Sequence, residues 1–167
     1  MKTISLPNGM AAFVDDEDFD RVSNYRWHCR TDASTSMLNR HRRHVYVKAH
    51  GRGTQAGKCF YLHRLILWIF DARHVDHING DGLDNRKSNL RVASQHQNGG
   101  NARVWDRRKS SVFKGVYFMR RDNKWAAQIC LNRINIRLGA YATEHEAAME
   151  YDRAARKHFG EFARTNF

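Results

Sequence analysis

Residues 75–98 read VDHINGDGLDNRKSNLRVASQHQN, and within these 24 positions lie three Asp, two His and four Asn. VDHI has the apolar and polar alternation of a short strand. NGDGLDNRKS is rich in Gly, Asn and Asp, the residues that tolerate left-handed backbone or bond their own main chain, so it reads as a loop. NLRVA returns as a strand, and Ser94 is placed to cap a helix opening at SQHQN. Strand, loop, strand and helix therefore follow one another within about 25 residues.

The polar groups of this stretch suit hydrolytic chemistry. Asp76 and His77 are adjacent, so on a strand they point to opposite sides and serve different ends. A carboxylate is a hard oxygen ligand for Mg²⁺ or Mn²⁺. A histidine that titrates near neutrality is a good general base. The Asn98 amide oxygen can complete a two-ligand metal site, and Asn89 can fix the far nitrogen of His77. The same composition also suits an ordinary polar turn, and that reading stays open on these residues alone.

Upstream, TISLPNGMAAFV reads as two short strands about Pro7-Asn8-Gly9, and DDEDFDRVSNYRW as a short helix or turn ending at Tyr25 and Trp27. HVYVKAH (44–50) alternates as a strand does, and GRGTQAGK (51–58) is loop. Leu62, Leu65, Ile66 and Ile69 share a face at helical spacing, which gives a helix from Leu62 to Phe70. Tyr25, Trp27 and Trp68 are expected in the core.

Downstream, GGNARVWDRRKSS (99–111) is a basic linker, and Trp105 within it either anchors the linker or inserts in a groove. FKGVYFMR, KWAAQICL and INIRLGAY follow as three strands joined by tight turns. TEHEAAMEYDRAARKHFG is a helix with Thr143 and Glu146 in a capping box and Gly160 as its stop. Ala147, Ala148, Tyr151, Ala154 and Ala155 form its apolar face.

The chain of 167 residues carries a formal net charge of +12, which points to a polyanionic partner. The longest apolar run, LILWIF, is too short to span a bilayer. The N-terminus lacks the apolar run of a secretion signal, so a cytoplasmic protein is expected. Cys29, Cys59 and Cys130 form no paired motif, which argues against a structural zinc; buried, inert thiols are expected. Residues 101–167 hold 14 Lys or Arg against 7 Asp or Glu. Lys114, Arg120, Arg121, Lys124, Arg133 and Arg137 give the strand region its basic character. His41, His44 and His50 flank a hairpin without a Cys or Asp partner and are read as surface or DNA-facing. His96 is read as exposed or phosphate-contacting. His63 is either a phosphate contact or a buried tie.

LHRLI (62–66), VDHINGDGLDNRKSNLR (75–91) and ASQHQN (93–98) together resemble the HNH motif of phage-type homing endonucleases, and residues 4–27 are similar to the lead-in of such proteins. The resemblance implies His77 as general base, Asn89 as its orienting residue, Asp76 and Asn98 as ligands of one Mg²⁺ or Mn²⁺, and His63 and Arg64 as accessory candidates. FKGV (113–116), KWAAQI (124–129), residues 137–160 and ARTNF resemble an AP2 DNA-binding domain. Lys114, Tyr117, Gln128, Cys130 and Arg137 then occupy its DNA-facing positions, although none is identical to the family's residue.

The expected fold is α+β. An HNH (ββα-metal) nuclease domain with an N-terminal strand extension spans 1–98, a linker 99–111, and an AP2-like sheet packed on one helix 112–167. The expected function is metal-dependent cleavage of duplex DNA by a monomer that nicks at a specific site. A sequence-specific DNA-binding protein with an inactive HNH domain is the alternative, and RNA binding rests on charge alone.

Overall fold

The computed structural model describes residues 1–7, 9–31, 45–51, 57–102 and 110–167. His41, His44, Trp105 and most of the expected linker lie outside them. The fold is mixed α and β, built of small antiparallel sheets and few helices. It divides into two compact units, Met1–Ala93 and Ser94–Phe167. The expected division after residue 98 assigns Ser94–Asn98 to the first. No helix among the described residues is long and apolar enough to cross a membrane.

In the first unit β1 (Lys2–Ser5) and β2 (Ala11–Val14) pair as a hairpin. Helix α1 (Asp16–Ser23) opens on Asp16, Glu17 and Asp18 and closes near Arg21, an arrangement that complements the helix dipole. β3 (Trp27–Thr31), β4 (Val45–His50) and β5 (Cys59–Tyr61) form a second sheet in the order β3-β4-β5. Strands β3 and β5 had no sequence expectation. Helix α2 (Leu62–Ile66) supplies Leu62, Leu65 and Ile66 to a core that also holds Val14, Trp27 and Val47.

Helix α2 is four residues shorter than its apolar pattern suggests. The Trp68 N–H bonds the Leu65 carbonyl at 3.3 Å and the Ile69 N–H bonds the Arg64 carbonyl at 2.9 Å. This pair of bonds closes a helix when the intervening residue is left-handed. Trp68 takes that conformation, at φ 52°, in place of the usual glycine. Ile69 returns to the core while Trp68 is exposed, so the expectation of a core Trp68 is corrected.

β6 (His74–His77) and β7 (Leu90–Ala93) pair antiparallel, with His77 opposite Leu90 and Asp76 opposite Arg91. A 3-10 turn at Lys87–Asn89 leads into β7. The Phe13 N–H bonds the Leu83 carbonyl and the Asn85 N–H bonds the Phe13 carbonyl, each at 2.8 Å, so strand β2 grips the loop between β6 and β7.

In the second unit α3 (Gln95–Asn101) is capped by Ser94, whose side chain and that of Gln97 form a reciprocal box. The helix runs through Gly99 and Gly100, where the sequence reading begins a linker. A Cβ on Gly100 would lie 2.6 Å from the Phe159 ring, so this glycine permits α3 to pack on α4 (Glu144–Phe159). Strands β8 (Val116–Met119), β9 (Lys124–Leu131) and β10 (Ile134–Tyr141) form a sheet in the order β10-β9-β8. Val116 and Ala127 meet Ala147 and Ala148 of α4 in the core, as the small-residue helix face requires. Thr143 and Glu146 form the expected capping box. Buried Asp152 accepts bonds from the backbone N–H groups of Asn166 and Phe167, which fastens the final residues against α4. Cys59 and Cys130 are exposed and only Cys29 is half-buried, contrary to the expectation of buried thiols. Strand ends explain the first, and a sheet face turned from α4 explains the second.

Candidate functional site

Asp76 and His77 end strand β6 and are 4% and 5% exposed. The cross-strand neighbour Arg91 donates from Nε to Asp76 Oδ2 at 3.0 Å and places a terminal nitrogen 2.9 Å from the same oxygen. Such a hold orients a carboxylate, as outer partners of metal-binding carboxylates do. Asp76 fits the part of a hard-cation ligand: it is buried, ordered by a cation, and next to a histidine. Among the described residues no cluster of three or more His, Cys, Asp or Glu is placed to hold a metal. An ion here would therefore take water and substrate oxygens beside few protein ligands, as Mg²⁺ commonly does.

His77 packs in an aromatic pocket. Its ring lies edge-to-face with His63 at 5.2 Å between centroids, and Tyr46 is 6.3 Å away. The Nε2 atom is 3.4 Å from Asn85 Oδ1. Burial pushes the His77 pKa down from its ordinary value, opposed by the Asn85 contact and by Asp76, Asp81 and Asp84. Burial, then the charges of His77 and Arg64, hold the His63 pKa down at about 3. Among the described residues its Nδ1 has no hydrogen-bond partner. His63 is buried and packs between the rings of Tyr61 and His77, a place that accords with the buried-tie reading. Arg64 donates to the backbone carbonyls of Arg73 and Asp71, so it braces the chain after α2.

Asn89 is stitched into the loop rather than to the His77 ring. Its Oδ1 accepts from the Asn79 N–H at 3.0 Å, and its Nδ2 donates to Asn79 Oδ1 at 3.0 Å and to the Asp84 carbonyl at 2.8 Å. Its own carbonyl accepts from the Ile78 N–H at 2.9 Å, directly after His77. Asp84 in turn receives Arg86, which holds its carboxyl below the usual range. The sequence reading missed Asn85, Arg91 and Asp84. Asn85 and Asp84 look like turn residues in NGDGLDNRKS, and only their burial sets them apart. Arg91 was legible in principle as the cross-strand partner of Asp76 once the hairpin register is counted.

Asn98 lies half-buried on α3, in the second unit. His96, read as exposed or phosphate-contacting, is half-buried and packs on Phe159 at 4.9 Å between rings.

The sheet of the second unit sorts the expected DNA-facing residues. Residues opposite one another in the ladder share a face. Tyr117 pairs with Ala126, Met119 with Lys124, Cys130 with Asn135 and Gln128 with Arg137. Val116 and Ala127, at alternate positions, face α4. Tyr117, Lys124, Gln128, Cys130 and Arg137 therefore share the face turned from α4. Arg137 bonds Met119 Sδ across that face at 3.3 Å. Arg120 and Arg121 lie in the turn after β8, and Arg133 in the turn before β10 at φ 68°. Lys114 is different: its ammonium donates to the Gly100 carbonyl at 2.6 Å and lies over the Tyr151 ring. That places it with the helices, on the other side of the sheet.

No family model matches the chain. It is 30% identical over 164 residues to an uncharacterized HNH endonuclease of Acanthamoeba polyphaga mimivirus, covering 95% of this chain and 75% of the viral protein. A 61-residue part, 36% of the chain, is 44% identical to an AP2-like ethylene-responsive transcription factor of Arabidopsis thaliana, of which it spans 13%. It is likewise 43% identical over 61 residues to APETALA2-like protein 2 of Oryza sativa subsp. indica, of which it spans 14%. With 95% of its length aligned to the viral protein, the chain belongs to the HNH endonucleases.

Proposed function

We propose that this chain is a metal-dependent endonuclease that hydrolyses a phosphodiester bond in duplex DNA, with an AP2-like second unit that places the cut as a homing endonuclease requires. The observation that supports it best is a buried carboxylate beside a buried imidazole at the end of one strand, each held by a neighbour from the same hairpin. His77 is the general base and takes a proton from the attacking water. Its lowered pKa favours the neutral ring, the form able to accept that proton. Asp76 would hold one Mg²⁺ or Mn²⁺ ion, which when bound stabilises negative charge on the phosphate and leaving oxygens. Arg91 keeps Asp76 oriented, and Asn89 keeps the loop between the strands closed. Lys124 and Arg137 neutralise backbone phosphates, and Tyr117 and Gln128 are placed on the same sheet face to meet bases. One site per chain cuts one strand at a time, so a monomer nicks.

A second reading has an observation of its own. Arg91 already neutralises Asp76, which suits a DNA-binding protein whose hairpin is inert. Supercoiled plasmid incubated with the full chain in Mg²⁺, in Mn²⁺ and in excess EDTA separates the two. Nicked circles that form only with metal are the expected result. Retained DNA binding without cleavage in either metal supports the inert reading, and cleavage in EDTA removes the metal-dependent mechanism.

A further inference from the structure

We propose that Asn85 is the positioning residue of His77: it sets which ring nitrogen carries the proton, while Asn89 acts a step further out by holding the loop. The inference rests on the nuclease reading for its meaning, since only a base needs a defined tautomer.

Asn85 is fully buried. One end of its side chain is 3.2 Å from the Gly82 carbonyl oxygen and 3.0 Å from that of Leu83. Carbonyl oxygens only accept, so that end must be the NH₂ group. The other end, at 3.4 Å from His77 Nε2, is then the oxygen. An amide oxygen also only accepts, so Nε2 must be the protonated nitrogen of the neutral ring. The lone pair that can take a proton is thereby placed on Nδ1. A flipped amide would set oxygen against two carbonyls and lose both N–H bonds in a buried site, which costs more than the contact with His77 could return.

The position of Asn85 is fixed before any substrate arrives. Its N–H is bonded to the Phe13 carbonyl at 2.8 Å, and Asp84 beside it forms a bridge with Phe13 of β2. A Cβ on Gly82 would fall 1.8 Å from the Val45 carbonyl oxygen, so the turn that Asn85 bonds into packs directly on β4. A separation of 3.4 Å is long, and contacts to a catalytic base commonly shorten when substrate binds. By contrast, the side-chain bonds of Asn89 go to Asn79 and to the Asp84 carbonyl.

The test uses the full chain with ¹⁵N-labelled histidine, the His77 signals being assigned by their absence in His77→Gln. The neutral His77 ring of the unsubstituted protein is expected as the Nε2–H tautomer, and finding Nδ1–H instead overturns the proposal whether or not any variant folds. Asn85→Ala should shift the ring toward a mixture of tautomers and lower kcat by about 10- to 100-fold, with KM for DNA changed by no more than about twofold. Asn85→Asp keeps an oxygen for Nε2 but loses both N–H bonds to the turn. It should keep the Nε2–H tautomer and recover kcat to within about tenfold of the unsubstituted protein. If Asn85→Asp is as impaired as Asn85→Ala and neither moves the tautomer, Asn85 is only a turn brace and the proposal fails. A protein that shows the Nε2–H tautomer, loses it in Asn85→Ala, and yet cleaves no DNA keeps the positioning and sinks the nuclease reading.

Discussion

Asn89→Ala offers the sharpest reading of what holds the β6–β7 hairpin. The substitution removes three side-chain hydrogen bonds, two with Asn79 and one with the Asp84 carbonyl. Each such bond contributes about 1 kcal/mol net, and the partners left unsatisfied in a buried loop add to the loss, so about 2–4 kcal/mol is expected. At about 1.4 kcal/mol per factor of ten, that corresponds to a roughly 30- to 700-fold rise in exchange for amides that open with the unit. The assay is native-state hydrogen exchange on the full chain. Backbone amides of β3 and β4 report on the first unit, and those of β9 on the second. The first set should exchange faster in Asn89→Ala and the second should not change. Protection of β3 and β4 altered by less than about threefold would show that the amide ladder contributes little, against the net value usual for buried bonds.

Arg91→Met should leave Asp76 buried without its guanidinium, and the Mg²⁺ concentration for half-maximal cleavage should rise by about 10- to 100-fold; an unchanged titration means Arg91 does not orient the ligand. His63 makes stability pH-dependent. Its pKa is lowered on folding, so the unfolded chain binds the extra proton; stability is complete above about pH 6.5 and falls as pH drops toward about 3. The limiting slope is about 1.4 kcal/mol per pH unit for this one group. The stability difference between the unsubstituted chain and His63→Leu should be constant above neutrality and change as pH falls below it, and parallel pH profiles throughout would contradict the burial argument. Lys124→Ala and Arg137→Ala should each reduce the slope of log affinity for DNA against log salt by about 0.9 if each side chain neutralises one phosphate. Slopes unchanged in both variants would move the DNA contact off this sheet face.

The elements that were legible in the sequence are those whose signals are local. The two strands of the hairpin, the Ser94 cap and the Thr143–Glu146 box depend on neighbours a few residues apart, and the structure has each of them. Strand β10 and helix α4 follow their patterns to within a residue. Signals carried by tertiary contact were not legible. Gly100 looks like a chain break, but its missing Cβ makes room for Phe159 in sequence some 59 positions on. Trp68 looks like helix and core, but it takes the left-handed closing position of α2 and turns its ring to solvent, under the guanidinium of Arg21. Strand β3 begins at an aromatic pair that reads as the end of a polar segment, and pairing with β4 is what makes it a strand. Among the site residues, the family pattern points to Asp76, His77 and Asn89, which are buried in one hairpin, and to Asn98, which is half-buried on α3 in the second unit. It points away from Asn85, because an asparagine in a polar loop carries no sign of its burial. Lys114 shows the reverse error: its place in a motif suggests a DNA contact, while the fold turns its ammonium to the Gly100 carbonyl.

In the mechanism proposed here, His77 performs the chemistry and not the binding. The direct measurement pairs nicking of supercoiled plasmid in Mg²⁺ with an equilibrium DNA-binding titration, on the unsubstituted chain and on His77→Ala. Cleavage should fall by at least ~10²-fold, the lower end for loss of a general base, while affinity stays nearly unchanged. Cleavage by His77→Ala within a few fold of the unsubstituted chain would contradict the account.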